Sequence, residues 1–523
     1  MLTALLPACM IGQQKKADAQ RPNILYIMSD DHSYQTISAY GYGLNKTPNI
    51  DKIAESGMLF RNNFVGNSIS GPCRAIVLTG KFSHMNGFYD NGAKTIFDGS
   101  QTTFPKLLQA AGYQTAIIGK WHLGSTPTGF DYWCIHTGQG TYYSPDMIEP
   151  DGKKTYTGEY ATDLTYKKCV EWLDHRNKSK PFCLMMHFKA PHRNWMPAPD
   201  KMEMYEDVTF PLPGNFYDDY KGRQAAAEQK MSIDKDMTIG WDNKILGVDT
   251  NNSAGNIEKV ELSRMTPAQR AVFDKVYGKI KEDFLARNLQ GKELAEWKYQ
   301  RYMRDYMKVI STVDDKVGLM IDYLQKNGLW ENTVVFYTSD QGFYMGEHGW
   351  FDKRFMYEES FHAPLLISYP PLIKKGGVEN KSLIQNIDFA PTILDIAGVK
   401  VPSEMQGESF KPILAGEKEK IHDALYYHYY EYPLPHGVKR HYGVRDDRYK
   451  LIHFYYDIDT WELFDLQNDP HEMNNLINDP KYADVITRMK AKLRELQIKY
   501  KDTEPMNTYP KDKEEVAKKG FGY

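Results

Sequence analysis

The sequence predicts an α/β chain: a mainly parallel sheet sandwiched by helices, followed by a smaller C-terminal α+β domain built on an antiparallel sheet. Three observations predict it. Apolar strand-like runs alternate with helical periodicity through residues 21–415. Several of those runs end in chemistry-bearing residues: Asp30-Asp31, Lys120-Trp121-His122, Pro191-His192 and Asp340-Gln341. After Gly416 the pattern changes to short β-rich runs joined by tight turns, which sets off residues 416–523 as the second domain.

In chain order, residues 1–20 read as an export or lipoprotein segment. Leu6-Pro7-Ala8-Cys9 resembles a bacterial lipobox, and Ala17-Asp18-Ala19 offers a competing signal-peptidase site, so both a periplasmic and an envelope-anchored form stay open. No apolar run elsewhere reaches the roughly 20 residues that a membrane span needs. Residues 24–28 form a buried-strand signal closed by Asp30 and Asp31. Thr47-Pro48 opens a helix that Gly57 closes, and residues 58–65 form a second strand. The stretch Ser70-Gly71-Pro72-Cys73-Arg74 then starts a helix. Ser70 reads either as an ordinary cap or as part of an anion site at the helix N-terminus, with Arg74 one turn on.

A helix over 104–111 precedes a strand over 114–118, and a further strand spans 182–187. Residues 197–263, dense in Pro, Asp, Asn and Gly, read as a long surface excursion on the functional rim. Helical periodicity returns over 267–327, followed by strands at 333–338 and 365–369 and a helix at 384–398. Four short strands lie within 424–465, and a helix spans 483–500.

The balance of 65 basic against 68 acidic residues gives no reason to expect a nucleic-acid partner. The 37 tyrosines agree with a carbohydrate-active protein. Five scattered cysteines (Cys9, Cys73, Cys134, Cys169 and Cys183) form no zinc or disulfide spacing.

In a parallel sheet, functional groups gather at the carboxyl ends of the strands. Asp30, Asp31, Asp340 and Gln341 share that address, and this all-oxygen set suits a hard cation, Ca²⁺ before Mg²⁺. No imidazole or thiolate accompanies them in sequence, which argues against zinc. Arg74, Lys120, His122, His192 and Lys353 add cations and proton-transfer groups. Together the two sets describe a site for a tetrahedral oxyanion.

These motifs resemble the type I, formylglycine-dependent sulfatases, which share the alkaline-phosphatase-like fold. The resemblance rests on Ser70-Gly71-Pro72-Cys73-Arg74 with Leu78-Thr79-Gly80, on Asp30-Asp31, Gly119-Lys120-Trp121-His122, Pro191-His192 and Gly346-Glu347-His348-Gly349, and on Lys353. It implies that Ser70 is oxidised to formylglycine by a Ser-type maturation enzyme. It further implies that Asp30, Asp31, Asp340, Gln341 and the modified Ser70 hold Ca²⁺. Arg74, Lys120 and Lys353 would neutralise sulfate, His122 would assist its release, and His192 would be the acid for the leaving alcohol. Cys73 holds the fourth position of the signature, not the nucleophile's, and Gln341 stands where Asn is commoner.

Residues 189–197, 441–445 and 461–465 further resemble bacterial N-acetylglucosamine-6-sulfatases of gut Bacteroides, which are exo-acting on glycosaminoglycans or mucin. Candidate sugar contacts are Trp350, Asp352, His436 and His441, whose alternative role is packing between the two domains. Rival readings are desulfation at another sugar position, a phosphatase or phosphodiesterase of the alkaline phosphatase superfamily, and a non-enzymatic sulfated-glycan binding protein.

Overall fold

The computed structural model describes residues 21–92, 95–248, 256–433 and 435–510. The expected export segment, with Cys9 and Ala17 to Ala19, lies outside the described residues. Ten strands build the main sheet: β1 (Asn23–Ser29), β2 (Met58–Phe60), β3 (Gln114–Gly119), β4 (Tyr132–His136), β5 (Asp146–Glu149), β6 (Gly152–Thr155), β7 (Phe182–His187), β8 (Thr333–Ser339), β9 (Leu365–Ser368) and β10 (Val378–Asn380). Their order is β10-β2-β9-β8-β1-β7-β3-β4-β5-β6.

The inner block β8-β1-β7-β3-β4 is parallel. β9 runs antiparallel between β8 and β2, and β5 and β6 add an antiparallel hairpin at the far edge. β1 is central because every residue of its Asn-Ile-Leu-Tyr-Ile-Met-Ser run is buried, as a strand covered on both faces requires. One core packs Leu25 and Ile27 with the helix Gly291–Lys326, and a second packs Ile24 and Tyr26 on the opposite face.

The expected helix over 267–327 divides into Pro267–Arg287 and Gly291–Lys326, broken where Asn288 turns left-handed. The expected strand over 58–65 divides into Met58–Phe60 and Asn63–Phe64. The C-terminal sheet contains β11 (Ala424–Tyr429), β12 (His441–Asp446), β13 (Tyr449–Phe454) and β14 (Thr460–Asp465), all antiparallel, with the helix Ala483–Lys499 packed against it. Among the described residues no helix is long and apolar enough to cross a membrane.

The excursion through residues 197–263 is pinned where His348 of the main domain meets the buried Asp218–Arg223 ion pair of the excursion. Arg223 Nη2 donates to both Asp218 oxygens at 2.6 and 2.8 Å, and His348 Nδ1 stands 2.7 Å from Oδ2 of the same carboxylate. Burial alone would raise Asp218. Hydrogen bonds from His348, Arg223 and the Tyr220 N–H instead bring it down to about 2. A carboxyl group depressed in the folded state contributes stability above its unfolded pKa and loses it as pH falls through the folded value. The stability gap between wild type and Asp218→Asn should therefore narrow by about 2 kcal/mol as pH drops from about 4 to about 2. Chemical unfolding across that range measures it, and a gap independent of pH would count against the assignment.

Candidate active site

The carboxyl ends of β1, β3, β7 and β8 converge on the N-terminus of the helix Ser70–Thr79, all of whose residues are buried. Ser70 is the first residue of that helix, but it does not cap it. Ile69 is the N-cap, and Ser70 Oγ donates to Asp30 Oδ1 at 3.0 Å. Of the two readings the sequence left open, the cap is thus removed. Gly119 ends β3 where any Cβ would lie 1.8 Å from the His187 carbonyl oxygen. Only glycine lets that backbone close so tightly, and the close approach places Lys120 at the strand end.

The expected metal ligands come together as one buried group. The Asp31 N–H donates to Asp340 Oδ1 at 3.0 Å, and Gln341 Nε2 donates to Asp31 Oδ1. Gln341 Oε1 is buried and accepts no hydrogen bond. A buried amide oxygen with no donor, set among carboxylates, fits a hard cation. Burial, with Asp340 and Asp352 close by, pushes Asp31 up to about 6 against the pull of Lys353. That is the electrostatic condition of a carboxylate cluster favouring positive charge.

The expected cations face the same cluster. Arg74 Nε and Nη2 both donate to Asp340 Oδ2, at 3.2 and 2.9 Å, and Nη1 donates to the Lys120 carbonyl at 2.8 Å. Lys120 Nζ donates to Asp30 Oδ2 and, at 2.6 Å, to Gln139 Oε1. Lys353 Nζ bridges both oxygens of Asp31 at 2.6 and 2.7 Å. Burial would raise Asp340, but Arg74 and Lys120 outweigh it and hold that carboxyl group below its ordinary value.

Both expected histidines reach the site. His192 Nδ1 donates to the Arg193 carbonyl at 2.7 Å, which fixes the tautomer and leaves Nε2 3.9 Å from Asp31 Oδ2. Ligand atoms of Asp30, Asp31 and His192 all lie within 4.8 Å of one another. This corrects the reading that no imidazole accompanies the carboxylates. His122 is half-buried and its Nδ1 has no hydrogen-bond partner. Burial and the neighbouring Lys120 lower both imidazoles well below their ordinary value.

Four residues of the site region hold a left-handed backbone that L side chains adopt only under constraint: Asp31 (φ 66°), His122 (φ 55°), Asp352 (φ 79°) and Arg354 (φ 93°). Each costs on the order of 1–3 kcal/mol, and such positions gather where geometry serves chemistry.

The four candidate sugar contacts divide in two. Asp352 lies beside Lys353, accepts from Arg354 Nε at 2.9 Å, and stands 3.3 Å from His436 Nε2. Trp350 and His441 do not reach the surface. Trp350 is 0% exposed, stacked on Phe355 and Tyr357, with its indole N–H donating to Tyr220 at 2.8 Å. His441 is also 0% exposed. Its Nε2 accepts from the Met356 N–H at 3.0 Å, and its Nδ1 donates to the Lys439 carbonyl at 2.7 Å. Both side chains pack where the C-terminal sheet meets the main domain, and burial and hydrogen bonds use all they offer.

The structure adds groups to which the sequence assigned no role. Arg354 follows Lys353 directly, and Lys189 lies in the 189–197 stretch. Gln139 sits between two glycines, Gly138 and Gly140, a turn signal that could have drawn attention to it.

Residues 22–399 match the family described as Sulfatase, and residues 346–499 match the family described as N-sulphoglucosamine sulphohydrolase, C-terminal. The chain is 49% identical over 535 residues to an N-acetylglucosamine-6-O-sulfatase of Bacteroides thetaiotaomicron, covering 99% of this chain and 94% of that one. A solved structure with 49% identity and a TM-score of 0.90, covering 94% of this chain and 100% of that one, is a complex with its substrate D-glucosamine-2-N,6-O-disulfate. A phosphonate monoester hydrolase of Agrobacterium radiobacter shares the fold at 20% identity and a TM-score of 0.66, covering 92% of this chain and 96% of that one.

Proposed function

The chain belongs to the sulfatase family, and from that premise we propose that it removes the 6-O-sulfate from N-acetylglucosamine or glucosamine residues at chain ends of heparan- or heparin-type glycosaminoglycans or of mucin. The observation that carries this substrate is the near full-length 49% identity to a relative that bears that activity in its name. The Asp352–His436 pair beside Lys353 supports it locally, as two polar groups beside the sulfate pocket that suit sugar hydroxyls.

Ser70 is the reacting residue in this reading, matured to formylglycine by a transient Ser-type maturation enzyme. The hydrate of that aldehyde supplies two hydroxyls on one carbon, one to attack sulfur and one whose deprotonation releases sulfate as the aldehyde returns. Asp30, Asp31, Asp340, Gln341 and residue 70 would hold a divalent cation, Ca²⁺ before Mg²⁺, which would supply Lewis-acid charge at the reacting group. Arg74, Lys120 and Lys353 share the charge that develops on the sulfate oxygens. His192 acts from its imidazolium form, reached when the anionic sulfate group offsets the surrounding lysines: Nδ1–H stays on the Arg193 carbonyl and Nε2–H passes to the departing sugar oxygen. His122 takes the proton from the residual hydroxyl. Asp352 and His436, with Arg354, orient the sugar. The catalytic groups come from residues 21–415, and 416–523 supplies His436. Export to the periplasm or cell envelope of a bacterium completes the reading.

A panel of 2-, 3-, 4- and 6-sulfated hexosamines tests it. Turnover of the 6-sulfated N-acetylglucosamine or glucosamine should exceed the others by at least about 100-fold in kcat/KM. A preference for another position, or faster hydrolysis of the matching phosphate, would overturn it.

A further inference from the structure

Lys120 Nζ has two acceptors, and they differ in kind. Asp30 belongs to the candidate metal ligands, so its oxygens are shared with the cation and with Ser70. Gln139 Oε1, at 2.6 Å, has no such second duty. Gln139 lies in the loop after β4, between Gly138 (φ 57°) and Gly140 (φ 71°), which let the chain turn sharply at the mouth of the site.

That loop is clamped from behind. The Glu261 carboxylate, buried and contributed by the long excursion, accepts from the Tyr142 N–H at 2.9 Å and the Tyr143 N–H at 3.3 Å. Tyr142 OH donates to the His192 carbonyl at 2.6 Å, and Tyr143 OH to that of Pro197 at 2.5 Å. Lys189 Nζ donates to the Gln139 carbonyl at 3.2 Å and lies 4.7 Å over the Tyr142 ring. A flexible lysine has four rotatable carbons and spends its charge poorly unless something fixes its tip. Here a clamped loop presents one amide oxygen to that tip.

We propose that Gln139 is a positioning residue for sulfate ester hydrolysis, holding Lys120 Nζ toward the sulfate from a loop that Glu261 locks in place. This rests on the reading that Lys120 contacts sulfate, and the experiment separates the two. Gln139→Ala, Lys120→Ala and the double variant are compared in the matured, metal-loaded protein with nitrophenyl sulfate and with the 6-sulfated sugar. Gln139→Ala should lower kcat/KM about tenfold on both substrates, and should raise the inhibition constant of inorganic sulfate by a similar factor. In the Lys120→Ala background the same change should alter turnover by less than about twofold, because both variants remove one coupled interaction. Unchanged thermal unfolding of Gln139→Ala sets aside misfolding, and Glu261→Gln, which keeps one acceptor oxygen, should give a smaller loss of the same pattern. Additive losses in the double variant, or a loss confined to the sugar substrate, overturn the positioning role. Full activity in Lys120→Ala overturns the underlying reading instead.

Discussion

Ser70→Ala should abolish turnover, by at least about 10⁴-fold, on nitrophenyl and sugar sulfates alike. The size of the effect follows from the position. Ser70 Oγ is 3.0 Å from Asp30, one of the three carboxylates with which Arg74, Lys120 and Lys353 pair. The nearby thiol cannot stand in for it. Cys73, three residues on, donates its thiol to the Asp340 carbonyl and accepts from Asn386 at 3.0 Å, so it is turned into the core. The fold should survive, because the substitution removes one hydrogen bond, about 1 kcal/mol. Substrate binding should survive too, since the cations remain. Residual turnover within tenfold of wild type would sink the nucleophile assignment. The mass of the tryptic peptide over residues 62–74 tests the modification separately, since conversion to the aldehyde removes about 2 Da.

Removing the divalent cation by chelation should likewise reduce turnover to background, with Ca²⁺ restoring it. Asp30, Asp31 and Asp340 are three carboxylates inside the protein, and an ion bound only by the folded chain stabilises it by about 2.7–4 kcal/mol at 100–1,000 times its dissociation constant. Thermal unfolding should therefore shift downward on chelation while the chain stays folded, since Lys120, Lys353 and Arg74 each pair with one of these carboxylates. Activity that persists in excess chelator, with no change in unfolding temperature, would remove the metal from the mechanism. Restoration by Zn²⁺ but not Ca²⁺ would point instead to His192 as a ligand, which its place beside Asp30 and Asp31 makes a fair comparison.

The parallel block was legible because a strand buried on both faces must be an apolar run, and β1, β7 and β8 are such runs. The hairpin β5–β6 was not, because Gly152–Thr155 is exposed throughout and its lysines carry no alternation. The antiparallel direction of β9 also had no local signal, since direction is set by how the chain returns to the sheet. At the site, Asp30, Asp31, Ser70, Arg74, Lys120, His192, Asp340, Gln341 and Lys353 each stand in a short motif, and motifs survive reading in one dimension. Gln139, Lys189 and Glu261 converge only through tertiary packing, and Glu261 arrives from an excursion whose sequence showed no periodicity. Trp350 and His441 illustrate the converse. An aromatic or imidazole residue has the right chemistry for a sugar, but exposure belongs to the fold and not to the residue.

The place of β1 at the centre of the sheet has a consequence in time. Ser29 and Ser339 are hydrogen-bonded across adjacent strands yet lie 310 residues apart. During synthesis at about 5–20 residues per second, β1 waits on the order of 15–60 s for the strand that completes its pairing. Until then Asp31 and Asp340 cannot meet, and the helix that Ser70 begins has no finished core to bury it. Residues 67–80 are thus open to other proteins for most of the chain's emergence and closed to them afterwards, so any covalent change made at Ser70 by another enzyme has to be made on the growing or unfolded chain.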